Sequence, residues 1–478
     1  MKIEDIISHV IANRDSAFFY TPPQFKSGRS FLFSGPGKII SVKNPADLIK
    51  ALEKTDKLIS EGKKCCGYIS YEAGYLLENR LQKLFKTNGD EIFRFCFYDD
   101  PDITELRPVD IEFSGSYYLK PFAIENFGLN CPKEQYVRNI EKIKNYIAEG
   151  ETYQVNYTVK GLFDFKGDIT SLFLALLFNQ SAGYAAIINT GPDLIISLSP
   201  ELFFKTEGKI ITAVPMKGTG SRGMNTVDDI AKSELLRESK KDRAENLMIV
   251  DLLRNDLGRI SKYGSVKAEE LFNIEKYESL FQMTSAISAE LSEDVSFSGI
   301  IKNLFPCGSI TGAPKIRTME IINELEAEPR GIYTGAIGTA DKNRSVFNVA
   351  IRTIKLDPSA GRGELGLGSG IVWDSDPEKE FEEVLLKSRF LTDTVKPFKI
   401  FETTRIENGE IYLMDEHIRR LKNAADYFLF KLDEEKLKEQ ILKQTSGITW
   451  EKKLRLKIEL EKYGSINIVT TDFLRIFQ

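Results

Sequence analysis

The chain has 478 residues, of which 42% are hydrophobic and 28% charged, and its formal net charge is −5. That length exceeds one ordinary domain, and the balance is that of a globular protein with a sizeable core. The slightly acidic charge and the dispersed lysines exclude the basic footprint of a nucleic-acid binder and argue against an anionic membrane surface as partner.

From the N-terminus, MKIEDIISHVIANRD interrupts its apolar residues with acids, and no apolar run in the chain reaches the roughly 18 residues of a spanning helix. Neither a leader peptide nor a membrane segment is therefore predicted. Over residues 1–125 short strands and helices mix, with turns at Tyr20-Thr21-Pro22-Pro23 and Gly35-Pro36-Gly37. From Pro132 onward Tyr136, Val137, Ile140, Ile143 and Ile147 recur at helical spacing, and Gly150 stops that helix. Residues 152–160 alternate as a strand, and 198–214 read as a hairpin about Glu207-Gly208. Helices are predicted over 231–257, over 316–325 and from Asp376-Pro377 onward. Beyond a boundary near 396, strands over 399–405 and 410–413 flank Glu407-Asn408-Gly409, a helix covers 415–427, and a last strand covers 465–470. The chain thus divides into 1–125, 126–395 and 397–478.

Cys65, Cys66, Cys96, Cys131 and Cys307 are odd in number and fit no zinc spacing, so they read as reduced thiols in a cytoplasmic protein. With only His9 and His417, a histidine-based triad or a histidine-rich metal site lacks parts.

Three constellations could carry chemistry. In Pro215-Met216-Lys217-Gly218-Thr219-Gly220-Ser221-Arg222, a turn directly after a strand would aim Lys217 from a rigid mount, and a partly desolvated lysine can act as a nucleophile. A solvated loop lysine is the competing reading. Glu201 lies on the partner strand of the hairpin; if Thr206 pairs with Lys209, it falls opposite Val214, where its carboxyl could act as a general acid beside Lys217. An edge-strand glutamate or a simple ion pair competes with that role. The second constellation joins Glu245 to Glu380, Glu383 and Lys387, whose i, i+3, i+7 spacing puts them on one helix face. Such carboxylates suit Mg²⁺, and the lysine could hold a substrate carboxylate; a solvated salt bridge between Glu383 and Lys387 is the alternative. Third, Gly308-Ser309-Ile310-Thr311-Gly312-Ala313-Pro314-Lys315 opens a helix and could present N–H groups to an anion, or be a plain helix start. Its spacing is not that of a Walker loop. Gly368-Ser369-Gly370 could likewise bring backbone to a ligand, or be a tight turn.

Taken together these stretches resemble the chorismate-utilising enzymes. The matching segments run in order over roughly residues 130–390: GETYQVNYT (150–158), SPELFF (199–204), PMKGTGSR (215–222), ENLMIVDLLRNDLGRI (245–260), GSITGAPKIRTMEII (308–322), RGIYTGAIG (330–338), NVAIRT (348–353) and GSGIVWDSDPEKEFEEVLLKS (368–388). The resemblance implies an α+β fold of two large packed β-sheets with helices outside and the site in the cleft between them. It implies Mg²⁺ at Glu245, Glu380 and Glu383. It implies chorismate contacts at Thr311, Gly312, Tyr333, Arg352, Lys387 and the backbone of Gly368 and Gly370, with Glu201 as the acid at the departing C4 hydroxyl.

Two positions bear on the branch of the family. Isochorismate- and salicylate-forming relatives carry a water-activating lysine where this chain has Gln154, and anthranilate synthases carry alanine where it has Lys217. Lysine at 217 with glutamine at 154 resembles the branch that makes 4-amino-4-deoxychorismate for 4-aminobenzoate and folate, in which the lysine attacks C2 while the C4 hydroxyl leaves. One departure is Gln282, where many relatives have histidine. Glutamine donates a hydrogen bond but transfers no proton at neutral pH. No glutamine-hydrolysing domain is recognised, so ammonia is expected from a glutamine amidotransferase partner or from free ammonium.

The stretch FETTRIENGEIYLMDEHIRRLKNAADYF (401–428) resembles the start of aminodeoxychorismate lyase, a class IV aminotransferase-like enzyme, with Arg420 at the position of its phosphate-contacting arginine. The Schiff-base lysine of that family lies beyond the segment present, so pyridoxal phosphate is not expected here. Two other readings stay open. One is anthranilate synthase component I, against which Lys217 argues. The other is a catalytically silent protein that binds chorismate or the glutaminase, against which the intact acids and lysines argue.

Overall fold

In the computed structural model, residues 1–22, 28–113, 119–446 and 453–472 are described. Pro23, at the end of the turn predicted over 20–23, lies outside them. Among the described residues two ten-stranded antiparallel sheets make up the larger part of the chain. The first runs in the order 312–313, 154–167, 362–371, 353–357, 194–199, 184–189, 17–20, 30–33 and 103–106, with 122–129 also paired to 154–167. The second runs 216–221, 280–290, 210–214, 202–207, 344–349, 336–340, 64–69, 93–98 and 38–42, with 267–276 also paired to 280–290. Residues before 126 build no sheet of their own: Ala17–Tyr20 pairs with the strand at 184–189, and Lys64–Ile69 with the strand at 336–340.

The inner faces meet through Ala17, Phe33 and Ile188 of one sheet and Cys66, Tyr98 and Ile337 of the other, with the rings of Phe33 and Tyr98 5.1 Å apart. Helices cover the outer faces because their apolar residues fall on one side. Leu48–Ser60 buries Leu48, Ala51, Leu52, Thr55, Leu58 and Ile59, the 3-and-4 spacing of an amphipathic helix. The strand Phe93–Tyr98 is buried at every position, as a central strand with both faces covered must be. The α+β architecture of two packed sheets with helices outside, expected from the resemblance, is the one observed. All five cysteines are free thiols, and among the described residues no helix is long and apolar enough to cross a membrane.

Three local expectations are corrected. The helix predicted over 231–257 is two helices, Thr226–Glu238 and Lys240–Gly258. Between them Ser239 is extended, and its hydroxyl accepts from Asp242 N, a local cap that competes with continuing the helix. The hairpin predicted over 198–214 spans only 202–207 and 210–214, and residues 194–199 belong to the other sheet. Thr206 pairs with Ile211 rather than Lys209, and a bulge between Leu202 and Lys205 puts Leu202, not Glu201, opposite Val214.

Past the helix Pro377–Thr392 the chain forms a four-stranded sheet (410–411, 400–407, 454–460, 466–472) covered by the helices Met414–Phe428 and Glu434–Thr445. Its core is separate and includes Ile406, Leu421, Leu437 and Leu456, joined by Phe178 from the larger part.

The packing centre of the larger part is an aromatic cluster. Phe347 stacks on Phe204 at 5.2 Å and lies 5.9 Å from Phe95 and 5.4 Å from Phe297. Phe347→Ala is expected to destabilise the fold by about 3–5 kcal/mol through lost burial and an unfilled cavity, read as a lowered urea midpoint.

Candidate active site

The site lies where the ends of the two sheets meet. The strand Met216–Ser221 is the edge of one sheet and carries Lys217; the strands 154–167 and 362–371 of the other bring Gln154 and Gly368-Ser369-Gly370. A Cβ on Gly370 would lie 2.6 Å from Lys217 Nζ and 3.2 Å from Gln154 Nε2, so the amine, the amide and the bare backbone of Gly370 share one spot. Lys217 Nζ is 3.4 Å from Glu245 Oε2. Gln154 is fully buried and neither end of its amide has a partner, the state of a polar group whose ligand is not part of the chain.

Neighbouring side chains hold Lys217 in place. Asn246 Nδ2 donates to the Lys217 carbonyl (3.2 Å), while Asn246 Oδ1 accepts from Ser285 Oγ (2.6 Å). Thr219 Oγ1 donates to Gln282 Oε1 across the strand pair (3.2 Å), so Gln282 sits beside the strand that carries Lys217 as a hydrogen-bonding group.

Glu201 and Arg352 lie where two antiparallel ribbons pass from one sheet to the other. The strands 194–199 and 202–207 are joined through Pro200-Glu201, and 344–349 and 353–357 through Ala350-Ile351-Arg352. The crossings are tied together by Val349 N to Glu201 O (3.0 Å), Leu198 N to Arg352 O (3.0 Å) and Ser199 Oγ to Val349 O (2.5 Å). The Glu201 carboxylate accepts from Ser309 Oγ (2.6 Å). Burial pushes its carboxyl up to about 7, against the opposing pull of Ser309, the Met216 N–H and the Lys217 charge. Glu201 thus reaches the lysine strand through Met216 although the predicted register was one residue off.

Arg352 has φ +49, a left-handed conformation for a non-glycine residue, and burial pushes its guanidinium down to about 10. No hydrogen bond or ion pair to that guanidinium forms among the described residues. A half-buried cation in this state can meet an anion.

The remaining candidates fall into place around the same strands. Gly312 (φ +133) pairs with Val155, and a Cβ there would come within 2.0 Å of Gln154 O, so only glycine fits. Thr311 is buried beside it and donates to Cys307 O (2.9 Å). Tyr333 lies over Gly366 of the strand that carries Gly368 and Gly370, and burial raises its phenol pKa. It also lines a cavity of about 180 Å³ with Tyr157, Lys160, Glu326 and Arg330. The Arg330 guanidinium donates to Ile310 O (3.1 Å), Asn156 O (2.6 Å) and Glu326, which ties the 308–312 turn to the Gln154 strand. Lys387 Nζ donates to Gly368 O (2.7 Å) and pairs with Glu383 (2.7 Å), and Glu380 accepts from Ser375 Oγ (2.7 Å).

Three carboxylates offer hard oxygens suited to a hard divalent cation. Each has a partner of its own: Lys217 for Glu245, Ser375 for Glu380 and Lys387 for Glu383. Among the described residues no three acidic, histidine or cysteine side chains close on one point. The set therefore fits a cation held by one or two carboxylates with water and substrate, and not a preassembled three-carboxylate cage. On the helix Met414–Phe428, Arg420 is largely exposed, and both Nε and Nη2 are engaged by Glu402, which also meets His417 Nδ1 (2.8 Å). Two of its three guanidinium nitrogens are thus paired with Glu402.

Sequence reasoning did not place Ser309 and Asn246 in the site. Ser309 lies inside the GSITGAPK segment and Asn246 follows Glu245, so their positions were marked, but only the fold aims them at Glu201 and Lys217.

Residues 114–393 match the family model described as chorismate binding enzyme, and residues 399–469 match the one described as amino-transferase class IV. Aminodeoxychorismate synthase component 1 of Bacillus subtilis is 39% identical over 287 residues, 60% of this chain and 60% of that protein. An anthranilate synthase component 1 of Haloarcula marismortui is 39% identical over 272 residues, 56% of this chain and 55% of that protein. The chain thus spans well under two thirds of the length of these relatives. The crystal structure of anthranilate synthase component I from Streptococcus pneumoniae superposes with a TM-score of 0.65 over 77% of this chain and 93% of that one at 23% identity, a likeness of fold.

The Glu201 carboxyl is expected to be protonated below about pH 7 and ionised above it. Ser309→Ala removes a hydrogen bond to the ionised form, so the midpoint moves to higher pH. Infrared titration of the carboxyl band, with Glu201→Gln as the assigning control, reads the shift.

Proposed function

The chain belongs to the chorismate binding enzyme family, and from that premise we propose that it converts chorismate and ammonia to 4-amino-4-deoxychorismate. The observation that carries the reading is the placement of the Lys217 amine against the bare Gly370 backbone and the unpartnered Gln154 amide, with the protonatable Glu201 beside the lysine strand at Met216. Similarity to aminodeoxychorismate synthase component 1 of Bacillus subtilis supports it.

In this reading the neutral Lys217 amine bonds to C2 of chorismate, the ring double bond shifts, and the C4–O bond breaks. Glu201 supplies the proton with which the C4 hydroxyl leaves as water. Ammonia then bonds to C4, the double bond shifts back and Nζ leaves C2 as the free amine. The proton that the entering nitrogen gives up returns to Glu201, which closes the balance. Arg352 and Lys387 are the cations for the substrate carboxylates, and Tyr333, Thr311, Gly312, Gly368 and Gly370 shape the cleft. One or two of Glu245, Glu380 and Glu383 would hold Mg²⁺, with water and substrate, and the ion would supply positive charge for a ring carboxylate. The designation "component 1" of the relatives supports a separate partner, which we take to be a glutamine amidotransferase that delivers ammonia.

Incubation with chorismate, Mg²⁺ and ammonium is expected to give a product that a separately added aminodeoxychorismate lyase turns into 4-aminobenzoate. Anthranilate as the product would overturn the reading in favour of the anthranilate synthases, which are as similar in sequence. Lys217→Ala is expected to lower turnover by roughly 100-fold or more. Glu201→Gln is expected to lower it by about 10²–10⁴-fold and to abolish the alkaline fall of kcat/KM near pH 7 that loss of the acid's proton produces in the unaltered protein.

A further inference from the structure

The main chain at Lys217 is anchored on an edge strand. Asn246 Nδ2 donates to the Lys217 carbonyl (3.2 Å). Met216 pairs with Thr284 and Thr219 with Gln282, which leaves Lys217 and Gly218 (φ +101) as a bulge opposite Met283. Such a bulge aims a side chain out of the regular ladder. The Lys217 side chain, 17% exposed, ends 3.4 Å from Oε2 of Glu245, itself 21% exposed.

Glu245 is also one of the three carboxylates offered to a divalent cation, and the three are held differently. Glu380 accepts from the neutral hydroxyl of Ser375 (2.7 Å). Glu383 pairs with Lys387 (2.7 Å) where both side chains are nearly half exposed, so water screens that pair. At Glu245 an ammonium and an incoming ion would meet with little water between them. On one oxygen they exclude each other, and on the two oxygens of one carboxylate they repel at short range. Lys217 therefore competes with the cation for Glu245.

Gln154 offers the amine another place. It is fully buried, and both ends of its amide lack a partner among the described residues. A Cβ on Gly370 would come within 2.6 Å of Lys217 Nζ and 3.2 Å of Gln154 Nε2, so the bare glycine keeps the space between amine and amide open. Turned about its last torsion, the amide presents Oε1 to that space. An ammonium accepted there gains a charge-assisted hydrogen bond and satisfies one buried amide end.

We propose that Lys217 has two seats: the Glu245 carboxylate in the metal-free protein, and the Gln154 carbonyl once a divalent cation holds Glu245. Gln154 is then a positioning residue that receives the lysine. The main chain stays where Asn246 anchors it, and only the lysine side chain swings past Gly370. This deepens the proposed function and rests on its use of Glu245 for Mg²⁺.

The test reads metal affinity on the full chain without chorismate. Mn²⁺, a divalent ion that likewise takes oxygen ligands, is titrated, and the free ion is counted by electron paramagnetic resonance. Lys217→Met removes the competitor and is expected to tighten Mn²⁺ binding about tenfold. Lys217→Arg keeps the charge and is expected to bind within about twofold of the unaltered protein. Gln154→Met removes the second seat at similar volume and is expected to weaken Mn²⁺ binding about fivefold. In the Lys217→Met background the same change is expected to alter it by less than about twofold. A role of Gln154 in packing alone would not depend on Lys217 in that way. Unchanged or weaker binding in Lys217→Met overturns the proposal. So does a Gln154→Met effect that is absent in the unaltered background or that survives the loss of Lys217. If Glu245→Gln binds Mn²⁺ as tightly as the unaltered protein, the metal assignment fails and this inference falls with it. Product analysis of the unaltered protein needs none of these variants and decides the rest of the functional reading separately.

Discussion

Everything in the site depends on the place where two β-ribbons change sheets together. One ribbon crosses at Pro200-Glu201 and the other at Ala350-Ile351-Arg352, and main-chain bonds from Val349 to Glu201 and from Leu198 to Arg352 lock them at the same level. At this crossing Glu201 is cut off from water and Arg352 is only partly exposed to it. A carboxyl there is pushed up to about 7 and a guanidinium down to about 10 by the same burial. The left-handed backbone at Arg352 costs on the order of 1–3 kcal/mol and persists because the flanking strand pairs over-determine it.

The site's polar groups divide into satisfied supports and unsatisfied working groups. Arg330 is buried but saturated, with donors to Glu326, Ile310 O, Asn156 O and Thr334. A buried cation of that kind is tolerable only with such compensation, and it holds the 308–312 turn and the Gln154 strand in one frame. Gln154, by contrast, is buried without a partner among the described residues, and Arg352 is half-buried with no ion pair there. Leaving such groups unpaired costs stability, about 1–3 kcal/mol for a neutral one, which is consistent with groups whose partner is a ligand.

The C-terminal unit extends the same logic. Its own core is complete, yet the carbonyl end of one helix and the buried Lys462 both spend their polar groups on the larger fold. Phe178, at the end of the helix Ile169–Asn179, lies among Phe398 and Phe430 and makes the joint apolar as well as charged. Tyr427 meets Arg222 and Gly223 at the far end of the segment that carries Lys217, and Lys462 meets Glu278.

Periodicity and punctuation made much of the architecture legible in the sequence. The helix at 133–148 with its stop at Gly150, the helix at 377–392 with its Asp376 cap and the strands of the C-terminal unit follow from local residue order, because amphipathic spacing and caps act within a few residues. The ordered motifs also marked Lys217, Glu201, Glu245 and Arg352. What local order could not supply was long-range placement. The bulge that shifts Glu201, the break at Ser239, the burial that tunes Glu201 and Arg352, and the meeting of Lys217 with Gly370 across two sheets are set by contacts between residues more than a hundred positions apart or by competition between equivalent local hydrogen bonds. The tie between Lys462 and Glu278 belongs to the same class: each residue is an ordinary surface charge in the sequence, and only the packing of two units buries them as a pair.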